Sequence, residues 1–232
     1  MWEPYRDVAA TYFPNAAVAI DPFHVIKHLV QGFVQLRIDL MNQCGYGSNA
    51  YYLLKKWHWL LMKDDVHPDN ARVYNKRFAM KLNRRDLFNM IMEAFPVLEQ
   101  AYLLKEEYRK FNRECSYDDA SDGFDALAAK FKNSAIRQYD EFASILAAWK
   151  DEILNSFKRP YGDRKLSNAF TENINGRIRT YLVVSRGVGN FQRFRKRVIY
   201  ALSPDVYYAL TTCLQSDKKT GKKRGSYSKP GD

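Results

Sequence analysis

Along most of this chain apolar residues recur at the three-and-four spacing of one helix face. Residues 3–13 place Tyr5, Val8, Ala9, Tyr12 and Phe13 on one side, and Pro14-Asn15 stops the pattern. A longer helix is predicted from Phe23 to about Cys44, with Val25, Leu29, Phe33, Leu36 and Leu40 in its stripe, ending at GYGSN. Ala50 to Met62 give a second, aromatic-rich helix, and KDDVHPDN, residues 63–70, reads as a loop. From Arg84 to Glu114 the pattern is helical again, bent near Pro96, and CSYDDASDG follows as a loop with several N-cap candidates. Further helices are predicted at Phe124 to Lys132, Ala135 to Phe157, Ala169 to Leu182, Phe191 to Leu202 and Pro204 to Leu214. The exception is Ala16 to Ile20, a short apolar run that reads as a buried strand. It is the one convincing strand in the chain, and a lone strand is not stable by itself.

Composition fits this helical reading. The chain has 232 residues, 46% of them hydrophobic, with few glycines and prolines, which is enough for a sizeable core. Three widely spaced cysteines, Cys44, Cys115 and Cys213, form no CxxC pair, so neither a disulfide framework nor a zinc knuckle is expected, and reduced thiols point to the cytoplasm. No run of about 18 apolar residues is present, so no membrane partner is expected. The N-terminus lacks a basic-then-apolar signal pattern.

Charge changes the picture more. Net charge is +11, and residues 157–232 hold 17 Lys/Arg against 5 Asp/Glu, so the excess lies in the last third. Such asymmetry suggests a polyanionic partner, most simply nucleic acid. The last residues, 216–232, are polar and basic and read as disordered.

Three stretches carry candidate chemistry. In Asp21-Pro22-Phe23-His24 an acid and an imidazole lie three apart where the apolar run gives way to a helix. Asp21 suits an N-cap. His24 and His28 have a spacing that can ligate a metal, but no glutamate stands between them and no third ligand is near. In SNAFTENINGRIR, residues 167–179, Glu172 falls near the first turn of its helix, where a carboxylate is favoured electrostatically. Asn168, Asn175, Gly176 and Arg179 share its polar side, and Gly176 leaves space beside it. A glycine inside a helix costs about 1 kcal/mol against alanine, which a closely approaching backbone or ligand would explain. The bland alternative is a solvated acid on an ordinary amphipathic helix. Third, Arg186, Asn190, Phe191, Arg193, Phe194, Arg195, Lys196 and Arg197 put cations at helical spacing behind a glycine-bearing loop, which suits phosphate contacts.

Taken in order, WEPYRDVAATYFPNAAVAIDPFHVIKHL, LSNAFTENINGRIR and GVGNFQRFRKRVIYAL resemble the transposases of bacterial insertion sequences, specifically the ISL-three family, over roughly residues 1–202. The resemblance implies a ribonuclease H-like catalytic domain in which two Asp and one Glu hold divalent metal. By it, Glu172 is the third acid and metal ligand, and Asp21 and His24 are a D-x-x-H box that follows the second Asp. The expected fold class is mainly α. A helical insertion domain, 25–157, joins an incomplete ribonuclease H-like remnant, namely residues 1–24 with the strand near 16–21, and C-terminal core helices at 158–215 that carry the glutamate helix near 169–182. The basic tail, 216–232, completes this division.

On that resemblance the chain is expected to be the C-terminal portion of an enzyme that cuts and joins DNA strands with Mg²⁺, and to be inactive alone because both catalytic Asp are missing. DNA is the expected partner, through Arg177, Arg179, Arg186, Arg193, Arg195, Lys196 and Arg197. An apolar strand with a bare edge invites a second copy of the chain, so a homodimer is left open. The competing readings are a non-catalytic helical DNA-binding or regulatory module and, with little support, a metal-dependent hydrolase using His24, His28 and Glu172.

Overall fold

A computed structural model describes residues 3–63, 71–160, 162, 166 and 168–203. The expected helix at Pro204 to Leu214 and the expected disordered tail at 216–232 lie outside the described residues. The chain divides into two compact units, Met1–Ser167 and Asn168–Asp232.

The architecture is mainly α. The first unit contains α1 (Glu3–Tyr12), α2 (Pro22–Gln43), α3 (Asn49–Lys56), a 3-10 turn at His58–Met62, the strands β1 (Val73–Asn75) and β2 (Met80–Leu82), then α4 (Arg84–Ala94), α5 (Pro96–Glu114), α6 (Tyr117–Lys132), α7 (Asp140–Ala148) and α8 (Lys150–Asn155). The second unit contains α9 (Ala169–Val184) and α10 (Phe191–Leu202).

α2 runs through the core of the first unit and buries Val25, Leu29, Phe33 and Leu36, the stripe that its periodicity marks. It packs against α3, α5 and α7. Around α5, aromatic rings fill the space between helices. The Tyr108 and Phe142 centroids are 5.2 Å apart at 89°, and Phe131 and Phe142 are 4.8 Å apart, both in the edge-to-face geometry that ring quadrupoles favour. Buried Tyr139 donates its hydroxyl to Ala101 O at 2.8 Å. Burial raises the pKa of both Tyr108 and Tyr139, because a phenolate is poorly solvated there. Lys105 is also fully buried. Its ammonium donates to Leu61 O at 3.1 Å and to Glu106 Oε1, and lies 4.4 Å from the Tyr102 ring centroid.

Helix boundaries follow their local chemistry. Capping boxes start α4 at Asn83/Asp86 and α6 at Ser116/Asp119. The second begins α6 at Tyr117, well ahead of the expected start at Phe124, because Ser116 Oγ accepts from Asp119 N and the Asp119 carboxylate accepts from Ser116. Phe95 ends α4 and Pro96 opens α5, so the expected bend is a break between two helices. Likewise the helix expected from Ala135 to Phe157 is divided at Trp149, whose backbone (φ −123°, ψ 26°) leaves the helical region.

The strand expected near 16–21 does not form. Residues 16–21 run without secondary structure, and of Ala16 to Ile20 only Ile20 is buried. The segment lies along α8. Ile20 N donates to Glu152 O at 3.0 Å, and Asn155 Nδ2 donates to Val18 O at 2.9 Å. Those helix-end partners satisfy groups that a neighbouring strand would otherwise have to meet. α1 is attached nearby through a charge. Arg6 Nη2 donates to Ala148 O at 2.8 Å, its Nε lies 2.7 Å from Glu152 Oε1, and its guanidinium stacks 3.7 Å from the Trp149 ring. Of the apolar stripe read at residues 3–13, Val8, Tyr12 and Phe13 are exposed, Tyr12 by 72%.

The described strands lie elsewhere, as an antiparallel hairpin pairing Val73 with Leu82, Tyr74 with Lys81 and Asn75 with Met80. Ala79 takes φ 53° in its turn. Arg77 fastens the hairpin to the turn before α3, donating to Asn49 Oδ1 at 2.7 Å and to Gly47 O. Leu82 is buried, and Phe78 meets the Tyr52 ring at 5.9 Å.

Candidate functional site

Asp21 caps α2. Its Oδ1 accepts from Phe23 N at 2.8 Å, and Pro22, which has no N–H to give, takes the first helical position. His24 is exposed, edge-on to Phe23 with centroids 5.7 Å apart. His28, one turn on, turns to Glu141, with Nδ1 3.4 Å from Oε1. Among the described residues no three His, Cys, Asp or Glu side chains gather closely enough to hold a metal ion.

Glu172 sits in the first turn of α9, exposed, its amide donating to Asn168 O at 2.9 Å. The free N–H groups of a first turn favour a carboxylate there. Gly176 stands one turn further on, and a Cβ built on it meets nothing within 4 Å, so the space beside Glu172 is open. Arg179, seven residues after Glu172, shares its face, whereas Arg177, five residues on, sits about 140° around the helix. α9 has no buried residue, and Phe170 and Val183 are each 77% exposed.

α9 ends in a tight turn. Arg186 and Gly187 take φ 51° and 107°, and their amides donate back to Val183 O and Leu182 O at 3.1 and 3.4 Å. This left-handed pair closes the last turn of the helix. α10 then starts at Asn190, whose Oδ1 accepts from Arg193 N at 3.0 Å. Between turn and helix lies a concavity of about 450 Å³, lined by Ser185, Gly187, Gly189, Asn190, Arg193 and Arg197 among others.

Arg193, Lys196 and Arg197 lie on one side of α10, while Arg195, two residues after Arg193, points about 160° away from it. All four are exposed, as are Arg177, Arg179 and Arg186. Two guanidinium groups beside glycine backbone at a helix N-terminus form a surface suited to phosphate oxygens. Asp21 and His24 thus belong to the first unit, and Glu172 and the cationic series to the second.

A feature outside the sequence reading is the groove between α3 and the hairpin, where exposed cations and ring faces meet. Its signal was diluted, because residues 1–156 as a whole balance 20 basic against 21 acidic residues. Among the described residues no helix is long and apolar enough to cross a membrane. Cys44 is a free thiol.

A family profile described as a transposase matches residues 1–198. No curated protein and no solved structure gives a match. With most of its length covered, the chain belongs to the ISL-three family of transposases.

Proposed function

We propose that this transposase-family chain takes part in the cleavage and joining of DNA strands, gripping phosphates through α9, the following turn and α10, with Glu172 as the acid presented to the reacting strand. The observation that carries the reading is the composition of that segment. Residues 168–203 hold seven basic side chains, all exposed, against one acid, Glu172. A lone carboxylate on an otherwise cationic DNA-facing surface opposes affinity, so its presence calls for a chemical use. Asp21 and His24 form a separate D-x-x-H box in this reading. The proposed organisation is a core remnant at 1–24, a helical insertion at 25–157, core helices at 158–215 and a basic tail at 216–232.

Magnesium does not fit the described residues as a built site. Phosphoryl transfer between DNA strands uses two ions held by several acids, and Glu172 offers one exposed carboxylate. The chain's own contribution is binding and positioning. Arg193 and Arg197 hold a phosphate at the mouth of the α10 concavity, Arg179 and Arg186 extend the path, and Gly176 admits the backbone beside Glu172.

Two measurements test this. Fluorescence anisotropy with duplex DNA should show salt-sensitive, sequence-tolerant binding, and Arg193→Ala/Arg197→Ala should flatten the slope of log K against log salt by about 0.9 per lost phosphate contact. An unchanged slope refutes the grip. In a nicking assay with Mg²⁺ the chain alone should not cut DNA above background. Robust cutting that disappears in Glu172→Gln would instead show a competent catalytic centre. Binding with no catalytic role for Glu172 in any assembly would favour the second reading, a regulatory DNA-binding module.

A further inference from the structure

The first unit carries a surface that the α9–α10 reading does not use. Residues 46–85 contain nine Lys/Arg and three Asp/Glu, while the rest of residues 1–156 contain eleven and eighteen. Three cations of this basic stretch, Lys56, Lys76 and Arg77, meet where α3 faces the hairpin. There the structure has a groove of about 710 Å³, lined by Tyr52, Lys56, Trp57, Tyr74, Lys76 and Arg77 among others. Its volume falls within the range of about 300–1,000 Å³ typical of sites for multi-ring ligands.

The rings line the groove, and Trp57 also packs against the core. Tyr74 is 58% exposed, and Tyr52 and Trp57 are half-buried. Lys56 hovers over two of them, 5.4 Å from the Tyr52 centroid and 5.8 Å from Trp57. Neither Lys56 nor Lys76 has an acidic partner among the described residues. Arg77 has a different task, since its bonds to Asn49 and Gly47 fix the hairpin against α3 and hold the groove's walls in place.

Ring faces beside exposed ammonium groups match the chemistry of an unstacked nucleotide, with a phosphate on the lysine and a base on the ring. Duplex DNA satisfies only half of that match, because its bases are already stacked and offer their edges. We therefore infer that the groove between α3 and the β1–β2 hairpin binds single-stranded DNA, through Lys56 and Lys76 to phosphates and through Tyr52, Trp57 and Tyr74 to bases. The inference deepens the DNA reading but needs neither Glu172 nor the α10 arginines.

The test uses the full chain and fluorescein-labelled single-stranded DNA of about ten nucleotides, followed by anisotropy, with the matching duplex and an RNA strand of the same sequence as competitors. Tyr74→Ala should weaken single-strand binding about ten-fold, in line with the loss of one stacked base, and leave duplex binding within about two-fold of wild type. Lys56→Glu, an exposed change on α3, tests the phosphate contact without touching the hairpin. Photocrosslinking with bromodeoxyuridine should label Tyr52, Trp57 or Tyr74, and should persist in Arg193→Ala/Arg197→Ala. The inference is overturned if both groove variants bind the single strand like wild type, if crosslinks map only to α9 and α10, or if RNA or duplex is preferred at the groove. Loss of binding in the α10 variant alone would sink this inference and leave the proposed function standing. Loss of single-strand binding in the groove variants, with the duplex salt slope unchanged in the α10 variant, would sustain this inference and sink the proposed function.

Discussion

Gly32→Ala sets helix propensity against packing, and the two give opposite signs. Gly32 lies inside α2, which spans 22 residues, where alanine would be favoured by about 1 kcal/mol on propensity alone. A Cβ built at Gly32, however, falls 2.4 Å from the carbonyl oxygen of Gln138 and 3.1 Å from Cδ1 of Tyr139. Neither neighbour can swing aside. The first is backbone, and the second belongs to a buried ring held by its hydroxyl bond to Ala101 O. Overpacking of a core costs about 1–3 kcal/mol, and a backbone collision belongs at the upper end. Subtracting the propensity gain leaves a net loss of about 2 kcal/mol. For a protein of this size each kcal/mol moves Tm by about 2–4 °C, so the variant should melt about 4–8 °C lower by far-UV circular dichroism. A Tm equal to or above wild type would refute the reasoning, because the contact between α2 and the 137–139 turn would then be looser than described.

Other changes probe single features. Gly176→Ala should leave α9 at least as helical as before, gaining about 1 kcal/mol of local propensity, since its new methyl meets nothing within 4 Å. If DNA backbone passes beside Glu172, the same variant should bind DNA more weakly, and unchanged affinity in anisotropy would exclude that path. Lys105→Ala should cost about 2–5 kcal/mol in urea unfolding, the range for emptying a large core side chain, since Glu106 keeps its ion pair to Arg109, and Lys105→Met should cost less because it keeps contact with the Phe33 and Tyr102 rings. Hydrogen bonds from the Ser116 side chain and backbone lower the Asp119 pKa. Its contribution to stability is therefore present above the unfolded carboxylate value of about 3.9 and is lost as pH falls through the lower folded value. Ser116→Ala should return the Asp119 titration, followed by NMR, toward that ordinary value, and an unmoved midpoint would refute the assignment of cause.

What the sequence disclosed depended on how a feature was spread along it. The α2 stripe was legible because Val25, Leu29, Phe33 and Leu36 repeat over several turns, and the burial of all four follows that spacing. Ala16 to Ile20 misled for the opposite reason. Five apolar residues have no period to break the tie between strand and coil, and the choice fell to partners far away, the Glu152 carbonyl and the Asn155 amide. The hairpin left no trace because each strand is three residues long and only Leu82 among its paired positions is buried. At the second unit the residue types were readable, yet their faces were not. Arg193 and Arg197 share a concavity while Arg195 looks elsewhere, a distinction that helical phase gives only once the helix start at Asn190 is fixed. The groove beside α3 was lost to averaging. A net charge describes a surface only when it is summed over the residues which that surface collects. Lys56, Lys76 and Arg77 became such a set because Arg77 ties the hairpin back to the start of α3, a bond that no run of neighbouring residues announces.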